Sequence, residues 1–133
     1  MVKSRLAEEE RLSFLAKETL GFLRHKSSYV EVNVVKSSLM RSLNRRFRGQ
    51  NKTTNVLSFP APQKFPKPLR GAPKFLGEIY LDPVYIKNQG ENIDYLLIHG
   101  LLHLLGFGHE RYDDRIKMER LEKKLLKWQK IKF

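Results

Sequence analysis

Apolar residues recur along this chain with two periods, and the alternation between them predicts its elements. Within residues 5–24, Leu12, Leu15, Ala16, Thr19, Phe22 and Leu23 fall on one face at helical spacing. Over residues 29–35 the period drops to two. Val30, Val32 and Val34 face one way and Glu31 and Asn33 the other, which is the pattern of a half-buried strand. Ser37 or Ser38 can then cap a helix in which Leu39, Leu43 and Phe47 share a face, with Gly49 as its stop. Residues 55–59 read as a short strand ended by Pro60. The stretch 60–75, with prolines at 60, 62, 66, 68 and 73, reads as an exposed loop. Residues 76–81 form a third strand, and Asp82-Pro83 opens a turn or short helix over 83–88. Residues 92–105 are apolar almost all round, the mark of a helix buried at the centre of a fold. A last helix over 113–130 has Met118, Leu121, Leu125 and Trp128 as its seam. The sum is an α+β fold: helices packed on a small, mostly mixed sheet, with a central buried helix.

Bulk composition narrows the class. The 133 residues, 41% of them hydrophobic, suit one domain spanning 1–133. The apolar run at 92–105 is short for the ~30 Å hydrocarbon core of a bilayer and contains two histidines, so no membrane role is expected. Glu8, Glu9, Glu10 and Glu18 break up the start of the chain, where a secretory signal has an unbroken apolar stretch; the cytoplasm is the expected location. Lys and Arg outnumber Asp and Glu by 26 to 14, a net charge of +12. A polyanion is the natural partner for that excess, nucleic acid first in the absence of a membrane-inserting segment, and a basic proteome or a solvated lysine surface is the alternative. The chain has no cysteine, so a transition-metal site must be built from imidazole and carboxylate.

The central helix supplies the imidazoles. His99 and His103 stand four residues apart, so they project from one face, one turn apart. Gly106 permits the left-handed conformation that ends a helix, and Gly108 adds a second free joint, so the chain can double back and bring His109 to the same ion. Three histidines with an open fourth position make the usual catalytic zinc arrangement. Ordinary hydrogen-bonded core histidines are the alternative. Two at this spacing in an apolar helix, with a third just past a glycine stop, argue against it. His25, among charged neighbours, receives no role.

Such a site suggests hydrolysis. The spacing H-x3-H-x5-H echoes metalloproteases, but the glutamate that serves them as general base is here Gly100. The basic block LNRRFRGQNK points elsewhere. Arg45, Arg46, Arg48 and Lys52 cluster around a helix end and turn, and a guanidinium fork suits phosphate. A solvated basic face accounts equally well for Arg45 and Arg46. Arg48, beside Gly49, is the stronger candidate.

Two blocks carry a family resemblance. HGLLHLLGFGH at 99–109 resembles the three-histidine motif of the YbeY family of bacterial endoribonucleases, and LNRRFRGQNKTTNVLSFP at 43–60 is similar to its arginine-containing block. LGEI at 76–79 is a weaker third match. The resemblance implies a zinc-dependent, single-strand-preferring endoribonuclease with one zinc per chain. It implies action on ribosomal RNA, near the 3′ end of the small-subunit RNA, and in ribosome quality control. The implied partners are that RNA, the small ribosomal subunit, and a ribosomal protein or GTPase. His99, His103 and His109 inherit the ligand role, and Arg48 that of the arginine contacting the RNA phosphate. Gly108 and Glu78 stand where the family commonly has Asp, and the segment 82–92 is short by comparison.

Two nucleophiles are compatible with this chemistry, a metal-activated water or the ribose 2′-hydroxyl. Glu110, adjacent to His109, is a candidate base on position alone. Two rival functions remain: an RNA-binding ribosome-assembly factor whose metal is structural, and a metallopeptidase. Three ligands rather than four disfavour the first, because structural zinc sites are usually closed by four. Gly100 disfavours the second.

Overall fold

The structure is a computed structural model that describes residues 2–62, 70–107 and 112–132. In chain order these form helix α1 (Val2–Phe22), strand β1 (Ser28–Val34), helix α2 (Ser37–Arg48), strands β2 (Val56–Pro60) and β3 (Lys74–Leu81), and helices α3 (Pro83–Asn88), α4 (Ile93–Leu104) and α5 (Tyr112–Lys132). The sheet is mixed, as expected for this α+β chain. β3 is central, with β1 parallel on one side and β2 antiparallel on the other.

One face of the sheet is closed by α1 and α4. Val32 and Val34 of β1 and Ile79 and Leu81 of β3 meet Leu12, Leu15, Ala16 and Leu20 of α1 and Leu97 and Leu101 of α4. The apolar face of α1 is the expected one except at Phe22, which stays exposed and tilts its ring against Trp128 of α5 at 4.7 Å. Arg11 of α1 pairs with Asp94 of α4 at 2.7 Å, and Gln129 of α5 donates to the same carboxylate at 2.9 Å, so one acidic side chain ties three helices together.

The other face carries α2, and here the expected pattern is corrected. Leu39 and Phe47 are 48% and 50% exposed; the buried positions are Met40 and Asn44. Met40 packs with Val35 and Leu57, while the Asn44 amide is buried because it donates to the Lys52 carbonyl at 2.8 Å. A polar residue thus occupies the inward stripe, and the helix is rotated from the orientation its leucines suggest. Neither serine caps it. Lys36 is the N-cap and makes no side-chain capping bond, because Val35 still donates to the Leu81 carbonyl and the helix can begin only after it. Gly49 ends the helix as expected, left-handed at φ 71°.

Two strand ends also differ. β3 begins at Lys74 rather than 76, where Lys74 and Phe75 pair with Ser28 and Tyr29 before a bulge shifts the register. Such a bulge breaks the alternation by which a strand is read. Pro60 closes β2 rather than lying beyond it; it pairs with Gly77, and an edge strand tolerates the missing donor. Of the expected loop, residues 63–69 lie outside the described residues. α3 starts as read, with the buried Asp82 accepting from the Tyr85 N–H at 3.1 Å and from the Thr53 hydroxyl at 2.6 Å.

Stripes on α4 explain its composition. Leu97 and Leu101 face the sheet and α1, whereas Ile98 and Leu102 face Met118 and Leu125 of α5. Successive residues are about 100° apart on a helix, so the next stripe along, His99 and His103, is turned away from the first.

Candidate active site

That third stripe opens into a cleft of about 420 Å³. It is lined from α4 by His99, Gly100 and His103, from β2 by Val56 and Ser58, and from the last turn of α2 by Arg48. The two candidate blocks, fifty residues apart in the chain, therefore meet across one edge of the sheet.

The histidine geometry fits a shared ion. The Nε2 atoms of His99 and His103 lie 3.1 Å apart, at hydrogen-bond distance from each other, with ring centroids at 4.6 Å and planes at 76°. Two ligands of a tetrahedral zinc, each bonded at 2.0–2.1 Å, stand about 3.3 Å apart. The donor set, two imidazole nitrogens converging on one point at the floor of an open cleft, suits a borderline cation such as zinc. The C-terminus of α4 is as expected. Gly106 is left-handed at φ 100°, with its N–H on the His103 carbonyl and the Phe107 N–H on that of Leu102. This paired closure turns the chain sharply off the helix. Gly108, His109 and Glu110 lie outside the described residues, and among the described residues no group of three or more metal-ligating side chains converges.

Arg48 sits at the rim. Its guanidinium donates to the carbonyls of Phe47 at 3.4 Å and Ser58 at 3.3 Å and lies 5.1 Å over the Phe59 ring. A guanidinium has five N–H donors, so others are left for an anion in the cleft. Arg45, Arg46 and Lys52 do not line the cleft. They are exposed on the end of α2 and the turn after it, with Arg46 over the Phe47 ring at 5.3 Å. Phe47, Phe59 and Tyr80 form an edge-on aromatic series at 5.2 and 5.8 Å that begins at this basic surface. Glu78 accepts from the Tyr80 hydroxyl at 2.7 Å, and burial, followed by that bond, pushes the phenol pKa up to about 12.

Gly100 is more than a missing base. It is buried, and a Cβ there would touch Ile79 and Val56 at 3.4 and 3.5 Å, so α4 lies close on the sheet at this point. Edge strand β2 could align a peptide, but the residue after His99, where metallopeptidases carry their glutamate base, is Gly100.

One residue of the cluster escaped the sequence reading. Glu122 of α5 lies 2.8 Å from His99 Nδ1 through its Oε2 and is 1% exposed. Its signal was positional: Met118, Glu122 and Leu125 share the helical seam, so Glu122 falls in an apolar stripe. Tyr95 stacks on the same imidazole at 6.3 Å, and its hydroxyl pKa is raised by burial and then by the Glu122 carboxylate.

The fold is an α+β domain in which a His-x3-His helix and the arginine at the end of α2 share one cleft. Comparison with known proteins gives the family. The family described as endoribonuclease YbeY matches residues 3–130, and the chain belongs to it. A protein of Chelativorans sp. named endoribonuclease YbeY is 42% identical over 95 residues, covering 65% of this chain and 57% of that one. Its namesake in Bartonella henselae is 38% identical, covering 70% and 63%. That of Thermodesulfovibrio yellowstonii is 34% identical over 128 residues, covering 90% and 75%. The first two matches thus span less than two thirds of the relatives' own length. Among solved structures, the solution structure of TM1509 from Thermotoga maritima superposes with a TM-score of 0.55 at 26% identity, over 91% of this chain and 86% of that one.

Proposed function

We propose that this protein is a metal-dependent endoribonuclease that cuts single-stranded RNA, with ribosomal RNA as its substrate. We place its action in the cytoplasm, at small-subunit 3′-end maturation and in ribosome quality control. The observation that carries this reading is the convergence of His99 Nε2 and His103 Nε2 at 3.1 Å in a cleft with Arg48 at its rim. His99, His103 and, by its spacing in the sequence, His109 hold one zinc. When bound, the ion supplies a Lewis acid that polarises a phosphoryl oxygen and favours deprotonation of a nucleophile.

The chain's own residues do the rest. Arg48, pinned by two carbonyls, presents its remaining N–H groups to the phosphoryl oxygens and stabilises charge as it builds. Arg45, Arg46 and Lys52 carry the flanking phosphates across the end of α2. Phe47, half exposed beside Arg46, offers a ring on which an unpaired base stacks, which favours single strands over duplex. The net charge of +12 brings the polyanion to this surface. Its partners on this reading are the small ribosomal subunit and a ribosomal protein or GTPase. No described helix is long and apolar enough to cross a membrane.

The test is an incubation of untagged protein with end-labelled single-stranded and duplex RNA, with and without chelator. The expected result is cleavage of the single strand, lost on chelation and restored by zinc. A 2′,3′-cyclic phosphate on the product assigns attack to the ribose hydroxyl, and a 5′-phosphate product assigns it to water. RNA that is bound but never cut, with any divalent metal, would overturn the catalytic reading in favour of an RNA-binding assembly factor.

A further inference from the structure

Among the described acidic residues of α5, Glu119 is exposed and Glu122 is buried. Glu122 sits in the seam between Met118 and Leu125, both fully buried. A carboxylate in such surroundings is costly unless it is paired. The His99 ring meets it at 2.8 Å through Nδ1, the Tyr95 hydroxyl interacts with the same carboxylate, and its Oε1 meets the geometry of no hydrogen bond among the described residues. A hydrophobic residue would fill that seam with less cost, so the position is explained by what the carboxylate does to His99.

We propose that Glu122 is the positioning residue of the metal centre. This rests on the reading of the cleft as a metal site. A carboxylate oxygen that accepts this bond places the ring hydrogen on Nδ1 and leaves the lone pair on Nε2, the atom that faces His103. The bond and the Tyr95 ring stacked on the imidazole together fix its rotation. A ligand held in this way needs no reorientation when the ion arrives, and the carboxylate makes the imidazole a stronger donor. A cation held at Nε2 would in return offset the charge of the buried carboxylate.

Two variants test this. Glu122→Leu removes the carboxylate and fills the seam. Glu122→Gln keeps the shape and an oxygen that accepts from Nδ1, but removes the negative charge. Metal-free wild type and both variants are titrated with zinc against a chromophoric chelator, and the metal-free forms are melted. The expected loss of zinc affinity is about 10-fold in Glu122→Gln and up to about 100-fold in Glu122→Leu. The metal-free Glu122→Leu protein is expected to melt no lower than wild type, an outcome that a purely structural carboxylate would not give. Zinc affinities within about twofold of wild type in both variants, with wild type binding normally, would overturn the role of Glu122 alone. A wild type that takes up no zinc would overturn the metal reading of the cleft, and this role with it.

Discussion

Replacing His103 with alanine is expected to abolish RNA cleavage and zinc uptake together while leaving a folded protein. His103 is partly exposed on the cleft stripe of α4, while the core contacts of that helix are made by Leu97, Leu101, Ile98 and Leu102. Alanine also favours the helix. The loss of stability is therefore about 1 kcal/mol, within the range of a partly exposed site. The site loses far more. His99 Nε2 is left without its partner at 3.1 Å. On the proposed reading, a Lewis acid held by these histidines would contribute several kcal/mol to the transition state, about a thousandfold or more in rate. Single-turnover cleavage, zinc content and a thermal melt of the same preparation separate the two effects. Cleavage at the wild-type rate in a variant without zinc would show that the histidines are not catalytic.

The largest effect on stability is expected at Gly77. This residue lies in β3 beside the bulge, at φ 143°, a conformation that side chains other than glycine's rarely adopt. A Cβ there would collide with the Phe59 carbonyl oxygen and come within 2.9 Å of the Pro60 Cα. Both are backbone atoms of β2, so no side chain can swing away and the edge strand itself must move. Gly77→Ala is expected to cost about 3–5 kcal/mol, through backbone strain and overpacking together. That corresponds to a melting temperature lower by about 10–20 °C for a domain of this size. The damage reaches the cleft as well, because β2 supplies Val56, Ser58 and the carbonyl that holds Arg48. A melting temperature within about 3 °C of wild type would contradict the close approach of these two strands.

What could be read from the sequence follows from how local each feature is. The two histidines at i and i+4 and the glycine that ends their helix are determined by backbone periodicity, and His99, His103 and Gly106 stand where the pattern puts them. The apolar wrap of α4 was legible because that helix is enclosed by the sheet on one side and α5 on the other. The face of α2 was not. A bond from beyond the helix end, to the Lys52 carbonyl, makes Asn44 a core residue, and hydropathy cannot see a hydrogen bond. The start of β3 was obscured by a bulge. Glu122 is one of many charged residues on a Lys- and Glu-rich helix, and only its place between Met118 and Leu125 sets it apart from Glu119. The floor of the cleft depends on β2 being an edge strand, and strand order is a pairing property that no single segment encodes. Arg48 was singled out by the company of Gly49; its anchoring on Ser58 comes from the tertiary fold.

Elemental analysis of the untagged, purified wild-type protein tests the proposed metal centre most directly. About one zinc per chain, retained through gel filtration, is the result this account predicts. A protein that stays active on RNA yet holds no metal, even after incubation with zinc, would contradict it.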